Sequence, residues 1–150
     1  EGGAGCTGPV HQLTERGIPV GGHLGLLPQS VHRLGGYIVQ GRETQAAEEL
    51  IADAISLQEA GADMLVLECV PATLGAVVSK QLDIPVIGIG AGSDCDGQVL
   101  VVYDMLGLTP GRRPRFSHDF LADTGSIQAA LTNYVQSVKS GAFPNAEQQF

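Results

Sequence analysis

The sequence is poor in cysteine, in basic residues and in long apolar runs. Cys6, Cys69 and Cys95 are its only cysteines. They lack metal-ligand spacing and three cannot all pair, so a reducing, cytoplasmic setting is expected rather than a disulfide framework. Lys and Arg number 8 against 16 Asp and Glu, a formal net charge of -8. A surface of that sign argues against nucleic acid or an anionic membrane as partner. The one basic cluster, Arg112, Arg113 and Arg115, stands in a Pro/Gly stretch and reads as a solvated or interface patch. No apolar run reaches the ~20 residues of a membrane-spanning helix. The opening Glu1-Gly2-Gly3 is not the basic-then-apolar start of a secretory signal. Low-complexity segments are missing too, and the 21 glycines follow no strict period, which leaves them for turns and close approaches.

What remains is 150 residues, 43% hydrophobic and 16% charged, enough for a globular domain with its own core. Its organising stretch is residues 64–69, Met-Leu-Val-Leu-Glu-Cys, which follows Gly61-Ala62-Asp63. The apolar run predicts a strand buried on both faces. Pro71 stands where a helix can begin without losing a needed donor. Glu68 therefore falls where a parallel strand gives way to a helix, the end at which α/β barrels keep their chemistry. It is either a satisfied polar residue at a strand end or a functional one. A charge that closes a buried run needs a partner, a metal or a proton.

The rest of the chain repeats the theme. Residues 8–16 predict a helix stopped by Gly17, and 18–23 (Ile-Pro-Val-Gly-Gly-His) a short buried strand. Residues 28–42, with a Gly35-Gly36-Tyr37 turn, form a long irregular stretch: a lid, a binding loop, an interface or a plain connection. Residues 44–60 predict a helix capped by Thr44 and ended by Gly61. Its apolar stripe is Ala47, Leu50, Ile51, Ala54, Ile55 and Leu57, with Glu48, Glu49 and Asp53 in water. A helix over 72–82 follows, then a second Ile-Pro-Val strand running into Gly88-Ile89-Gly90-Ala91-Gly92. Residues 99–108 fit helix or strand, and 107–117 form a Pro/Arg loop. A closing helix over 124–140 is capped by Thr124, with Ile127, Ala130, Leu131, Tyr134, Val135 and Val138 as its buried stripe. Phe143-Pro144 and Phe150 in the tail are candidates for docking onto a neighbour.

Helix, turn, short apolar strand and polar or Gly-rich loop thus recur at least three times, the mark of a parallel βα array. A (β/α)8 barrel needs eight strands and ~250 residues, and an open half leaves unpaired edges. The chain is either a small open α/β sheet or the second half of a barrel, and its start on Glu1-Gly2-Gly3 favours the second. If the three clearest strands are neighbours, His23, Glu68 and the Gly88–Gly92 loop line one cavity and suggest acid–base work on a small molecule. Singly, His23 is more often a satisfied structural histidine, and the glycines are as readily tight packing, since Gly-x-Gly-x-Gly lacks the full dinucleotide spacing.

Several stretches together resemble the ketopantoate hydroxymethyltransferase family: Glu1-Gly2-Gly3, Gly21-Gly22-His23-Leu24-Gly25-Leu26 with Pro28-Gln29-Ser30, Gly35-Gly36-Tyr37 with Val39-Gln40-Gly41-Arg42, Leu65-Val66-Leu67-Glu68-Cys69-Val70-Pro71, Ile84-Pro85-Val86-Ile87-Gly88-Ile89-Gly90-Ala91-Gly92, Asp96-Gly97-Gln98, and Ser140-Gly141-Ala142-Phe143-Pro144. The resemblance covers essentially the whole chain. It implies a (β/α)8 TIM barrel of the phosphoenolpyruvate/pyruvate type, of which residues 1–150 would be the C-terminal portion, half or more of a single domain. It implies hydroxymethyl transfer from 5,10-methylenetetrahydrofolate to 3-methyl-2-oxobutanoate through a metal-stabilised enolate, giving 2-dehydropantoate in pantothenate biosynthesis. By the same resemblance Glu68 is the catalytic base and His23 lines the substrate pocket. Glu1 is a carboxylate on the side of a divalent metal, usually Mg2+, acting directly or through a metal-bound water. Members assemble as homo-oligomers, often decamers. Two further metal-side aspartates and a lysine belong to an N-terminal part outside this sequence. The chain alone is therefore expected to bind Mg2+ poorly and to be inactive until the N-terminal half of the barrel joins it. The alternatives are another metal-dependent 2-oxo-acid lyase or mutase of the same superfamily, and a non-catalytic half-barrel.

Overall fold

The computed structural model describes residues 1–150. A parallel four-stranded sheet forms its centre, made of β1 (Gly21–Gly25), β2 (Met64–Glu68), β3 (Val86–Ile89) and β4 (Gly97–Gln98) in the spatial order β1-β2-β3-β4. The helices are α1 (Thr7–Thr14), α2 (Val31–Leu34), α3 (Thr44–Glu59), α4 (Ala72–Gln81), α5 (Val102–Met105), α6 (Phe120–Thr124) and α7 (Ile127–Lys139). Single 3-10 turns occupy Ala4–Cys6, Pro28–Ser30 and Ala146–Gln148.

The alternation of side chains along β2 decides the layering. Leu65 lies opposite Gly22 and Val86, and Leu67 opposite Leu24 and Gly88. Leu24, Leu65, Leu67 and Val86 join Val10 of α1, Leu50, Ala54 and Leu57 of α3, and Leu74 and Val78 of α4 in one core. Each large apolar side chain buried in this way contributes about 1.5–3 kcal/mol. On the opposite face His23, Met64, Val66, Glu68 and Ile87 are only half-buried. Strands in sequence order with helices gathered on one face are what successive barrel units share; a doubly wound sheet reverses its order and carries helices on both faces.

Register is fixed at the N-terminal edge of the sheet by carboxylates that precede strands. Asp63 accepts from the Val20 N–H at 2.9 Å, and Asp96 accepts from the Val86 N–H at 2.8 Å. The Gln58 side-chain oxygen on α3 accepts from Asp83 and Ile84 at 2.7 and 3.2 Å, seating the approach to β3. These brackets explain why β1 starts at Gly21 and not at Ile18. Pro19 has no N–H to give, and that of Val20 is taken by Asp63.

Several expectations about helix ends are corrected. Thr44 is the first residue of α3 and no side chain caps that helix. Asp53 is not merely wet: it accepts from the Ala4 N–H at 2.8 Å and ties the N-terminal turn to α3. Residues 99–108 resolve into an extended lead and the short α5. Thr124 ends α6 and returns its hydroxyl to the Phe120 carbonyl at 2.7 Å, whereas Ser126 caps α7 by accepting from Ala129 at 3.2 Å. The stripe of α7 is also narrower than predicted. Ala130 is buried, and Tyr134 and Val138 are half-buried against a second core of Leu100, Met105, Leu106, Phe120 and Phe143. Ile127, Leu131 and Val135 stay 57%, 43% and 47% exposed, because α6 and Phe143 cover only one side of the helix.

The tail docks within this chain. Phe143 meets Phe120 and Tyr134 edge-on at 5.5 and 5.7 Å, and Phe150 meets Phe116 at 6.2 Å. The Phe150 carbonyl accepts from the Ala72 N–H at the start of α4, at 2.9 Å. The basic loop fastens this arrangement. Arg115 donates to the Glu147 carbonyl at 2.8 Å and lies 5.7 Å over the Phe150 ring, and Arg113 pairs with Asp119 at 3.2 Å.

Candidate active site

Glu68 closes β2 on the sheet face that turns away from the helices. His23 lies on the neighbouring β1, opposite Val66, and so on the same face. Its Nε2 is 3.1 Å from Glu68 Oε2, and its Nδ1 is 3.8 Å from Glu1 Oε1. The three side chains are 18%, 14% and 50% exposed for His23, Glu68 and Glu1. The shorter contact is a hydrogen bond in which Nε2 donates to Glu68 when it carries the imidazole hydrogen. Glu1 reaches the group because the first residues run alongside β1, where the Gly2 N–H donates to the His23 carbonyl at 3.1 Å. The structure thus brings together all three residues singled out from the sequence: Glu1, His23 and Glu68.

The backbone at Glu68 is held as tightly as its side chain. Its carbonyl accepts from the Leu26 N–H at 2.8 Å. Gly25, at φ +87°, makes that approach possible, since a Cβ there would lie 2.0 Å from the Glu68 oxygen. Cys69 follows at φ +49°, the one non-glycine residue in the left-handed region. Such a conformation costs about 1–3 kcal/mol. It is offset by a bond from the Cys69 N–H to the Ile89 carbonyl at 2.9 Å and one from the Gln40 N–H to the Cys69 carbonyl at 2.8 Å. Burial pushes the Cys69 thiol up to about 12, and the negative charge of Glu68 adds to the shift. The thiol stays protonated and is no nucleophile.

The glycine-rich end of β3 serves close packing. A Cβ on Gly92 would lie 2.7 Å from that of Ala72, and one on Gly75 would lie 2.0 Å from the Ala91 carbonyl. These contacts let the start of α4 close onto the end of β3, and Gln98 holds the Gly92 carbonyl at 2.9 Å. Sequence reasoning missed Gly25, Leu26 and Gln40 as supports of Glu68. Gly25, two residues after His23, carried a signal; the backbone contacts of Leu26 and Gln40 left none.

The residues do not fit a metal site by themselves. No three His, Cys, Asp or Glu side chains converge in a way that could hold an ion. Both nitrogens of His23 face carboxylates, but only Glu68 is within hydrogen-bonding distance; Glu1, at 3.8 Å, adds its charge and not a bond.

A parallel βα array in which Glu68 closes β2 beside His23 of β1, on the face away from the helices, defines the class: an α/β chain with a parallel sheet. Comparison with known proteins narrows it. The ketopantoate hydroxymethyltransferase family model matches residues 1–146, and the chain belongs to that family. It is 63% identical to a 3-methyl-2-oxobutanoate hydroxymethyltransferase of Alkalilimnicola ehrlichii over 141 residues, covering 94% of this chain and 51% of that protein. It is 59% identical to the protein of that name from Thiobacillus denitrificans and 53% identical to that from Alteromonas mediterranea, each over 100% of this chain and 57% of the relative. The chain therefore spans about half the length of the curated relatives it matches.

Proposed function

We propose that this chain is the C-terminal part of a (β/α)8 barrel of the phosphoenolpyruvate/pyruvate type, and that it carries the base for hydroxymethyl transfer from 5,10-methylenetetrahydrofolate to 3-methyl-2-oxobutanoate. The observation that carries the reading is the His23–Glu68 contact of 3.1 Å at the strand ends, on the sheet face without helices. Sequential strand order, family membership and the names of the relatives support it. The N-terminal half would pair with the free edges of β1 and β4 and close the barrel.

The C3 hydrogen of the keto acid is acidified by the adjacent carbonyl. Glu68 takes that proton, and the resulting enolate carbon forms the new bond to the methylene carbon of the donor. For this, water first adds to that methylene carbon and both of its C–N bonds break, releasing tetrahydrofolate and a formaldehyde-level carbon; the enolate's addition to it leaves an alkoxide, which takes a proton to give 2-dehydropantoate. His23 holds Glu68 in place and borders the keto acid. A divalent metal such as Mg2+ belongs to this reading, but these residues offer it only Glu1, so no step here runs through it. A homo-oligomer, decameric by resemblance to the family, and a cytoplasmic location in keeping with three free cysteines complete the proposal.

The test is deuterium exchange at C3 of 3-methyl-2-oxobutanoate, followed by proton NMR without folate. It uses the chain joined to the N-terminal half of a curated relative. Exchange is expected to fall by about 10²–10⁴-fold in Glu68→Gln. Undiminished exchange removes Glu68 as the base. Exchange without folate-dependent product points instead to a lyase or mutase.

A further inference from the structure

The stretch that follows β1 is tied to the candidate base at both ends. Leu26 donates to the Glu68 carbonyl and Gln40 to the Cys69 carbonyl, each at 2.8 Å, so the segment between them leaves and rejoins the sheet on two consecutive residues. Within residues 27–39 the hydrogen bonds close locally. Ser30 bonds Leu27 at 2.8 Å, Gly36 bonds Val31 at 2.9 Å and Ile38 bonds Gly36 at 3.0 Å, and the Gln40 side chain returns to Ile38 at 2.9 Å. No residue of the segment is buried. It is an Ω-type flap, closed at its base, at the functional end of the strands.

Its surface is unlike the rest of the chain. Tyr37 is 79% exposed, more than any other large apolar or aromatic side chain, and Ile38 beside it is exposed as well. No Asp or Glu occurs between Glu15 and Glu43, in a chain that has 16 of them. Arg33 and Arg42 are exposed and make neither an ion pair nor a side-chain hydrogen bond, whereas Arg113 and Arg115 are both engaged. A free aromatic face with unpaired guanidinium groups and no competing carboxylate suits a flat heteroaromatic ring with an anionic tail. The keto acid has no ring to stack.

We propose that residues 27–39, with the adjoining Arg42, form the subsite of the one-carbon donor, with its pterin ring stacked on Tyr37 and its anionic glutamyl tail met by Arg33 and Arg42. This rests on the hydroxymethyl-transfer reading above. The flap is anchored on the Glu68–Cys69 backbone, so the subsite adjoins the strand end that carries the proposed base.

The test is tetrahydrofolate binding, by calorimetry, to the chain joined to the N-terminal half of a curated relative. Tyr37→Ala is expected to weaken binding about tenfold or more, the size of a lost stacking partner, while Tyr37→Phe binds as the unaltered protein does. Arg33→Gln and Arg42→Gln weaken it at low salt and make it less salt-dependent. Equal binding by the Tyr37→Ala and unaltered proteins overturns the proposal, as does an unaltered protein that does not bind tetrahydrofolate. The functional reading fails separately. Tyr37-dependent binding in a protein that shows no C3 exchange would keep the subsite and remove the proposed reaction.

Discussion

Replacing Gly25 by alanine tests how the candidate base is held. The new Cβ would stand 2.0 Å from the Glu68 carbonyl oxygen, where real contacts begin near 3.0 Å. The ends of β1 and β2 must part by about 1 Å, which opens the 2.8 Å bond from Leu26 to that oxygen beyond hydrogen-bonding range. Loss of that bond costs about 1 kcal/mol. Alanine at φ +87° adds about 1–2 kcal/mol. The sum is about 2–4 kcal/mol once residual crowding against Val70 is included. Gly17 supplies the control. At φ +73° it has nothing within 4 Å of its Cβ position, so Gly17→Ala meets the backbone penalty alone, about 1–2 kcal/mol. Urea unfolding followed by far-UV circular dichroism measures both, since the chain has no tryptophan to report. In the completed barrel Gly25→Ala also lowers C3 exchange about a hundredfold, because the base has moved by about 1 Å. Equal destabilisation by the two substitutions would refute the close-approach argument.

The remaining predictions concern packing and protonation. At pH 8 a thiol reagent should label Cys6 in the folded chain and spare Cys69, which reacts only after unfolding; rapid labelling of Cys69 contradicts its raised pKa. That thiol titrates near 9 when unfolded and at about 12 when folded, so across that window the unfolded chain binds fewer protons. Stability should therefore fall as pH rises through it, and part of the fall should vanish in Cys69→Ala, measured by urea midpoints. Phe143→Ala should cost about 3–5 kcal/mol through loss of the Phe120–Tyr134–Phe143 cluster, and a change under about 1 kcal/mol would mean the tail docks elsewhere.

Where the fold was legible in advance, local and tertiary signals agreed. Residues 64–68 are apolar, end on a carboxylate and precede a proline, and β2 occupies that span. α3 and α4 likewise begin and end within a residue or so of their stripes and stop signals. β1 was less legible. Its Gly-Gly-His-Leu-Gly sequence has little strand preference, and the ladder is imposed by β2 beside it. β4, two residues long, has no periodicity to read at all. The start of α7 was misplaced because Thr124 and Ser126 are both good caps, and only Gly125, at φ +73°, shows that one helix ends there before another begins. The width of the α7 stripe depends on what lies over it, and no pattern along the helix records that. At the site, Glu68 and His23 could be named from the strand pattern and Gly25 left a signal beside them, while the supports from Leu26 and Gln40 could not be read, because they are contacts of the main chain.

The flap over residues 27–39 is hydrogen-bonded to the sheet through main-chain groups, the carbonyls of Glu68 and Cys69. Its attachment is blind to side-chain identity at either foot. A foreign segment of the same span, beginning after Leu26 and ending before Gln40, would meet the same two oxygens in the same place. If the flap holds the donor and Glu68 is the base, as proposed above, recognition and proton chemistry are separable parts of this chain. On that reading one can be exchanged by grafting while the other stays in its strand, so a graft would alter the choice of ligand without disturbing the His23–Glu68 pair.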